Sequence, residues 1–251
     1  MNQPQLLDSR YRVVQKLSAG GFGVTYLARD TRRPGEPLCV AKELRHEHRN
    51  NPKVLQLFHQ EAEMLERLGE HTQIPKLLAA FTEANRWYLI QEYIDGVTLA
   101  DELVTPRGQK LRKAESEVIA LLRDVLTVLA FVHQHNVVHR DIKPANLMRC
   151  KKDGKIMLID FGAVKELTSS QINQQGRVAT SICVISEGYS PYEQVFQGKA
   201  MAASDIYALG ATAIEALTGQ SPRDLKPDAP AAEWRWRLYG QVSERLAACL
   251  A

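Results

Sequence analysis

Asp141, Lys143 and Asn146 stand within six positions of one another, and Asp160 follows at the end of an apolar run. The full wording is His139-Arg140-Asp141-Ile142-Lys143-Pro144-Ala145-Asn146, with Asp160-Phe161-Gly162 beyond it. An aspartate can orient a hydroxyl and accept its proton. A lysine two residues on can neutralise charge on a group in transfer. Asparagine and aspartate oxygens are hard ligands, suited to magnesium shared with phosphate oxygens. Together these residues suit phosphoryl transfer from a metal-bound nucleotide to a hydroxyl, a reaction that needs positioning and charge stabilisation more than covalent help. Each half alone is ordinary, since His-Arg-Asp often sits in a solvated loop and Asp-Phe-Gly is a common strand exit. Their joint occurrence, with Lys143 and Asn146 in place, carries the reading.

The elements that must position these side chains are legible from pattern. Tyr11–Val14, Val24–Ala28 and Leu38–Lys42 read as strands, with the proline- and glycine-containing stretch Thr31–Pro37 as a turn. Residues 52–68 read as a helix, because Val54, Leu55, Phe58, Ala62, Leu65 and Leu68 recur at helical spacing between Pro52 and Gly69. Leu77–Phe81 and Trp87–Tyr93 read as two more strands, and Asp95-Gly96 breaks the pattern. Ser116–His135 is apolar nearly all round, which predicts a buried helix. Lys152-Asp153-Gly154 reads as a hairpin turn between Leu147–Arg149 and Lys155–Ile159, which brings the loop 139–146 and Asp160 to the same end of the hairpin, facing one another. Ser204–Leu217 reads as a helix with Ser204 as N-cap, Asp205 in its first turn and Gly219 past its end.

Between the first two strands lies Leu17-Ser18-Ala19-Gly20-Gly21-Phe22-Gly23-Val24-Thr25. Glycines let backbone amides approach phosphates with no Cβ in the way, although a glycine cluster alone is more often a tight turn. Lys42 closes an apolar strand and is either a solvated strand end or a point charge for phosphates. In the second case a helix carboxylate must hold it, and Glu61 and Glu63 are both candidates.

Bulk properties exclude several classes. The 251 residues are enough for two separate cores. A net charge of +3 from 32 basic and 29 acidic residues argues against a dedicated nucleic-acid binder. Cys39, Cys150, Cys183 and Cys249 share no CxxC spacing, so neither a zinc site nor a disulfide framework is expected, and a reducing cytoplasm is the simplest home. The N-terminus lacks a signal-peptide core, and no apolar run reaches the roughly 18 residues of a membrane span.

The string HRDIKPAN…DFG, preceded by the glycine cluster and Lys42, resembles protein kinases. Wording such as GGFGVTYLA, QEAEMLERLG and IDFGAVKEL is most similar to bacterial, particularly cyanobacterial, eukaryotic-type Ser/Thr kinases. The resemblance implies an α+β, bilobal fold, with a small antiparallel β lobe carrying one main helix (11–94) and a larger helical lobe (95–251). It implies ATP and Mg2+ as cofactors and a protein substrate with a Ser or Thr acceptor, as Lys143 favours. Asp141 would be the base and Lys143 would stabilise the γ-phosphoryl group; Asn146 and Asp160 would hold the metal. Lys42 would hold the α- and β-phosphates. Its support would be Glu61, which stands four residues before the apolar Leu65 as in the family; Glu63 would be a solvated charge. The glycine-rich loop departs from the family pattern at Ser18 and Thr25, matches at Gly20 and Gly23, and has Gly21 as an additional glycine. The Glu92 carbonyl and Ile94 amide would meet adenine, lidded by Leu17, Val40 and Met148, with Gln91 as a polar gatekeeper that leaves the chemistry alone.

Asp160–Glu193 matches an activation segment, with Thr168, Ser169, Ser170, Thr180 and Ser181 as possible phosphate acceptors and Arg140 as a possible phosphate partner. Ser186 matches the residue that bonds toward the catalytic acid and lysine. Gly188–Gln194 resembles the Ala-Pro-Glu end, with Tyr192 in the proline's place and Glu193 as the acid. Asp205 matches the buried acid that holds the catalytic loop, or is simply a helix N-terminal charge. The family pairs the Glu193 position with an arginine near the domain end; none follows Arg245, so the expectation is a helical lobe lacking its final part and weakened activity. Two other functions compete: a non-catalytic kinase-fold binding module, and a small-molecule phosphotransferase, against which Lys143, DFG and Pro191-Tyr192-Glu193 argue.

Overall fold

The computed structural model describes residues 5–19, 23–44, 51–162, 165–166, 186–225 and 235–250. These divide into two compact units, Met1–Asp95 with Asp160–Gly162, and Gly96–Ile159 with Ala163–Ala251. Gly20, Gly21 and Phe22, and the candidate acceptors Thr168, Ser169, Ser170, Thr180 and Ser181, lie outside the described residues.

The first unit is built on a six-stranded antiparallel sheet of β1 (Leu6–Leu7), β2 (Tyr11–Ala19), β3 (Gly23–Asp30), β4 (Leu38–Leu44), β5 (Leu77–Glu83) and β6 (Arg86–Glu92), in the order β1-β2-β3-β4-β6-β5. The expected strands are present; four extend further than pattern alone defines, because ladder pairing continues through polar positions such as Gln15 and Lys16, whereas the strand expected over Trp87–Tyr93 runs one residue earlier, Arg86–Glu92. β1 has no counterpart in the sequence reading; two residues are too few to show a period. A core of Leu7, Tyr11, Ala28, Cys39, Ala41, Tyr88 and Ile90 fixes the sheet. The Phe81 ring packs between Tyr11 and Tyr88, with ring centres 6.0 and 5.4 Å away. Burial pushes the Cys39 thiol up to about 11, so it is a packing residue in its protonated form.

α1 spans Pro52–Leu68, as the spacing predicts. Met64, Leu65 and Leu68 are buried, and Glu61 lies at three, four and seven positions before them. Helical periodicity therefore places the Glu61 carboxylate on the inward stripe, where it must find a partner. Glu63 points elsewhere and is exposed.

The second unit contains β7 (Gly96–Thr98), α2 (Leu99–Glu102), α3 (Glu115–Gln134), β8 (Val137–Val138), β9 (Leu147–Cys150), β10 (Ile156–Leu158), β11 (Lys165–Glu166), α4 (Tyr192–Gln197), α5 (Ala202–Thr218) and α6 (Glu244–Cys249). The hairpin β9–β10 turns at Gly154, whose φ is +73°, and β7 adds to its other edge. Gly96 thus opens a strand rather than only ending a pattern. α3 buries one stripe of Val118, Leu121, Val125, Val128, Leu129 and Val132, with α5 packed against it. The expectation of burial all round does not hold: Leu126 is 41% exposed, because one packed stripe satisfies the helix and apolar residues outside it need no partner. α5 begins three residues earlier than expected. Met201 is the N-cap position, and Ser204 sits one turn in, its hydroxyl accepting from the Met201 N–H. Gly219 ends α5 in a left-handed conformation, as expected. No described helix is long and apolar enough to cross a membrane.

Candidate active site

Two groups of polar side chains are assembled, one in each unit. In the first unit, the central strand β4 presents Lys42 to α1 and to the Asp160–Gly162 segment. The Lys42 ammonium donates to Glu61 Oε1 and, at 3.1 Å, to Asp160 Oδ1. Burial works against the lysine's charge, but the facing carboxylates of Asp160 and Glu61 outweigh it and hold its pKa above the ordinary range. Gln91, in β6, also donates to Glu61 Oε1, at 3.2 Å. Its role therefore differs from that of a bystander at the back of a pocket, because it is a neutral second donor to the carboxylate that orients Lys42. Asp160 has a left-handed backbone, φ +66°, which aspartate tolerates better than most residues, and its side chain is 50% exposed.

Leu17, Ser18, Ala19, Gly23, Val24 and Thr25 lie at the facing ends of β2 and β3, where Ser18 pairs with Thr25 and Ala19 with Val24. Gly23 has a packing reason of its own, since a Cβ there would lie 2.7 Å from the Glu43 carbonyl oxygen on β4. Val40 stands in β4 opposite Leu27 and Gln91. Glu92 ends β6, its N–H donating to the Lys76 carbonyl, and Ile94 follows in the chain leaving β6.

In the second unit, the loop after β8 carries Asp141 and Lys143, and a 3-10 turn, Pro144–Asn146, ends it. Asp141 is the hub. Lys143 Nζ lies 3.0 and 2.8 Å from its two carboxylate oxygens. Asn146 Nδ2 donates to the Asp141 carboxylate at 2.8 Å and to its backbone carbonyl at 2.7 Å. Ser186 Oγ donates to Asp141 Oδ1 and accepts from Lys143 Nζ at 3.0 Å, the bridge expected of that residue. Ser186 is positioned by the turn after it. A Cβ on Gly188 (φ +87°) would meet the Arg223 backbone nitrogen at 2.7 Å, and the half-buried Tyr189 donates its hydroxyl to Glu215. Glu193 accepts from the Ser204 hydroxyl at 2.9 Å.

Asp205 is fully buried and takes the first of its two readings. Its carboxylate accepts from the backbone N–H of His139 at 2.9 Å and of Arg140 at 2.8 Å, and His133 Nε2 lies 2.8 Å from it. A helix side chain therefore fixes the backbone just ahead of Asp141. Asp205→Asn would set an amide NH2 against at least one backbone donor. It should cost about 3 kcal/mol of stability, since hydrogen bonds to charged groups are strong and unmatched buried donors are expensive; urea unfolding checks this.

The sequence reading did not single out His133, Ser190 or Gln194, which help to hold these loops. His133 stands outside any motif, and Ser190 and Gln194 fall within the Gly188–Gln194 segment with nothing local to mark their bonds; Gln194 is buried, and the other two are half-buried.

Residues 11–235 match the protein kinase domain family. The chain is 43% identical to serine/threonine-protein kinase PknA of Nostoc sp., over 98% of its own length and 44% of that protein's. It is 44% identical to serine/threonine-protein kinase C of Synechocystis sp., over 97% of its length and 45% of that protein's, and 32% identical to PrkC of Bacillus subtilis, over 87% and 32%. It thus spans less than half the length of these relatives. With its antiparallel sheet, its single long helix against that sheet and its helical second unit, the chain belongs to the protein kinase family, in the bacterial eukaryotic-type Ser/Thr branch.

Proposed function

We propose that this chain transfers the γ-phosphoryl group of ATP to Ser or Thr hydroxyls of proteins in bacterial signalling, in the cytoplasm. The observation that carries the reading is the saturation of Asp141: lysine, asparagine and serine side chains all converge on one buried carboxylate. So many donors fix a carboxylate in direction, as a base for a hydroxyl must be. Asp141 orients the acceptor hydroxyl and takes its proton, and Lys143 neutralises charge on the γ-phosphoryl group. Lys42, held by Glu61, serves the α- and β-phosphates. The loop Leu17–Thr25 supplies backbone amides to the phosphates; the Glu92 carbonyl and the Ile94 amide serve adenine, between Leu17, Val40 and Met148.

The donor set fits magnesium. In the second unit both donor contacts of Asn146 run from its amide nitrogen to Asp141, so its amide oxygen would be the atom to serve a cation; in the first unit Asp160 would offer a half-exposed carboxylate. Two protein oxygens with substrate phosphates are a usual magnesium environment. When bound, the metal neutralises phosphate charge.

The test is label transfer from γ-labelled ATP with Mg2+. Label should enter a generic protein such as casein on Ser and Thr, and none should enter small alcohols or aminoglycosides. Label in the small molecules only would establish the small-molecule phosphotransferase. No transfer, with no Mg-ATP-induced rise in Tm, would establish the non-catalytic module.

A further inference from the structure

Arg140 is the residue of the catalytic loop whose backbone most needs outside support. Its φ is +71°, a left-handed conformation that is sterically costly for a long side chain and persists only where neighbours enforce it. Asp205 holds its N–H. Its carbonyl accepts from Gln194 Nε2 at 2.8 Å. That carbonyl belongs to the peptide joining Arg140 to Asp141, so its direction sets the course of the chain into Asp141. Gln194 comes from α4, immediately after Glu193, and is 1% exposed.

The same amide nitrogen lies 3.3 Å from Ser190 Oγ, which also accepts from the Ser186 N–H at 3.0 Å. Ser186 in turn donates its hydroxyl to the Asp141 carboxylate. The bonds form a closed ring: Arg140 carbonyl, Gln194, Ser190, Ser186, Asp141 carboxylate, and back along the chain to Arg140. Gln194 therefore touches one determinant of where the carboxylate points, the peptide before it, and reaches the other, Ser186, through Ser190.

We propose that Gln194 is a positioning residue for Asp141, locking the end of the 186–194 segment to the catalytic loop. It acts through Arg140 and Ser186 and touches no reacting atom. The inference rests on the kinase reading above.

Gln194→Met keeps side-chain length and removes both donated bonds. Against a protein substrate, kcat should fall about tenfold, because small displacements of a base are costly, while KM for ATP stays within about twofold. Ile214→Val, a buried change in α5 outside this ring, is the control for stability loss alone and should leave kcat unchanged at a comparable drop in Tm. Without nucleotide, exchange of the Arg140 amide hydrogen should quicken about tenfold in Gln194→Met. Should Gln194→Met fail to fold, Ser190→Ala breaks the relay at its middle and should lower kcat about threefold. The proposal is overturned if Gln194→Met retains kcat within twofold, if its loss is no greater than that of Ile214→Val, or if Ser190→Ala is indistinguishable from wild type. An inactive wild type would instead overturn the kinase reading, and the exchange measurement would still decide whether Gln194 holds the loop.

Discussion

Asp141→Asn lowers phosphate transfer by about 10³-fold while the Kd for ATP stays within about twofold, because a general base acts in the transition state and contributes little to ground-state nucleotide binding. The substitution preserves size but replaces an acceptor oxygen with a donor. Lys143 Nζ, Asn146 Nδ2 and the Ser186 hydroxyl all donate to the present carboxylate, so an amide nitrogen meets at least one donor wherever it turns. Proton acceptance is lost, and so is the network that aims the side chain. Steady-state kinetics with a protein substrate, together with a direct ATP titration, separate the two quantities. Surviving turnover would remove Asp141 from the base role.

Lys42→Met has the second large effect, on activity and stability together. The ammonium is shared between Glu61, whose side chain is 7% exposed, and Asp160 at 3.1 Å. Without it the Glu61 carboxylate stays buried with Gln91 as its remaining side-chain donor among the described residues, and the repulsion between Glu61 and Asp160 is no longer offset. Removing one partner of a buried pair costs about 3–5 kcal/mol. Because Lys42 is partly exposed and Asp160 half-exposed, about 2–3 kcal/mol is expected here, reduced by solvent screening. kcat/KM should fall at least about 10²-fold, as expected when a preorganised charge on the phosphates is lost. Denaturant unfolding and kinetics on the same preparation check both halves of the expectation.

The sequence carried the local structure well wherever one period dominates. α1 matches residue for residue, because its apolar stripe is bounded by Pro52 and Gly69, which mark a start and a stop. The β9–β10 hairpin was equally legible from its turn residues. The short pairings β1 and β7 were not, because two or three residues show no period and owe their existence to tertiary pairing. α3 shows the opposite failure: composition suggested burial on every side, whereas packing used one stripe.

Within the candidate site, the side chains with motif positions were legible. The family resemblance prefers Glu61 to Glu63, and the helical phase of Met64, Leu65 and Leu68 gives the physical reason. The supporting residues were hidden. The tie from Gln91 to Glu61 joins β6 to α1 across 30 positions, and that from Gln194 to Arg140 joins α4 to the catalytic loop across 54. Such bonds exist only after packing brings unrelated elements together, and no local pattern encodes them. The positive φ of Arg140 was likewise invisible, since arginine is not a residue type that announces a left-handed backbone.

The proposed function rests most heavily on Lys42, Asp160 and Asn146 serving Mg-ATP. Calorimetric titration of ATP with and without Mg2+ tests it most directly, on wild type, Lys42→Met and Asn146→Ala. The account predicts one Mg2+-dependent site per chain, weakened about tenfold or more by either substitution, as the loss of a charged or metal-held contact implies. Wild-type Mg-ATP affinity in Asn146→Ala, or two sites that respond separately to the two substitutions, would contradict it.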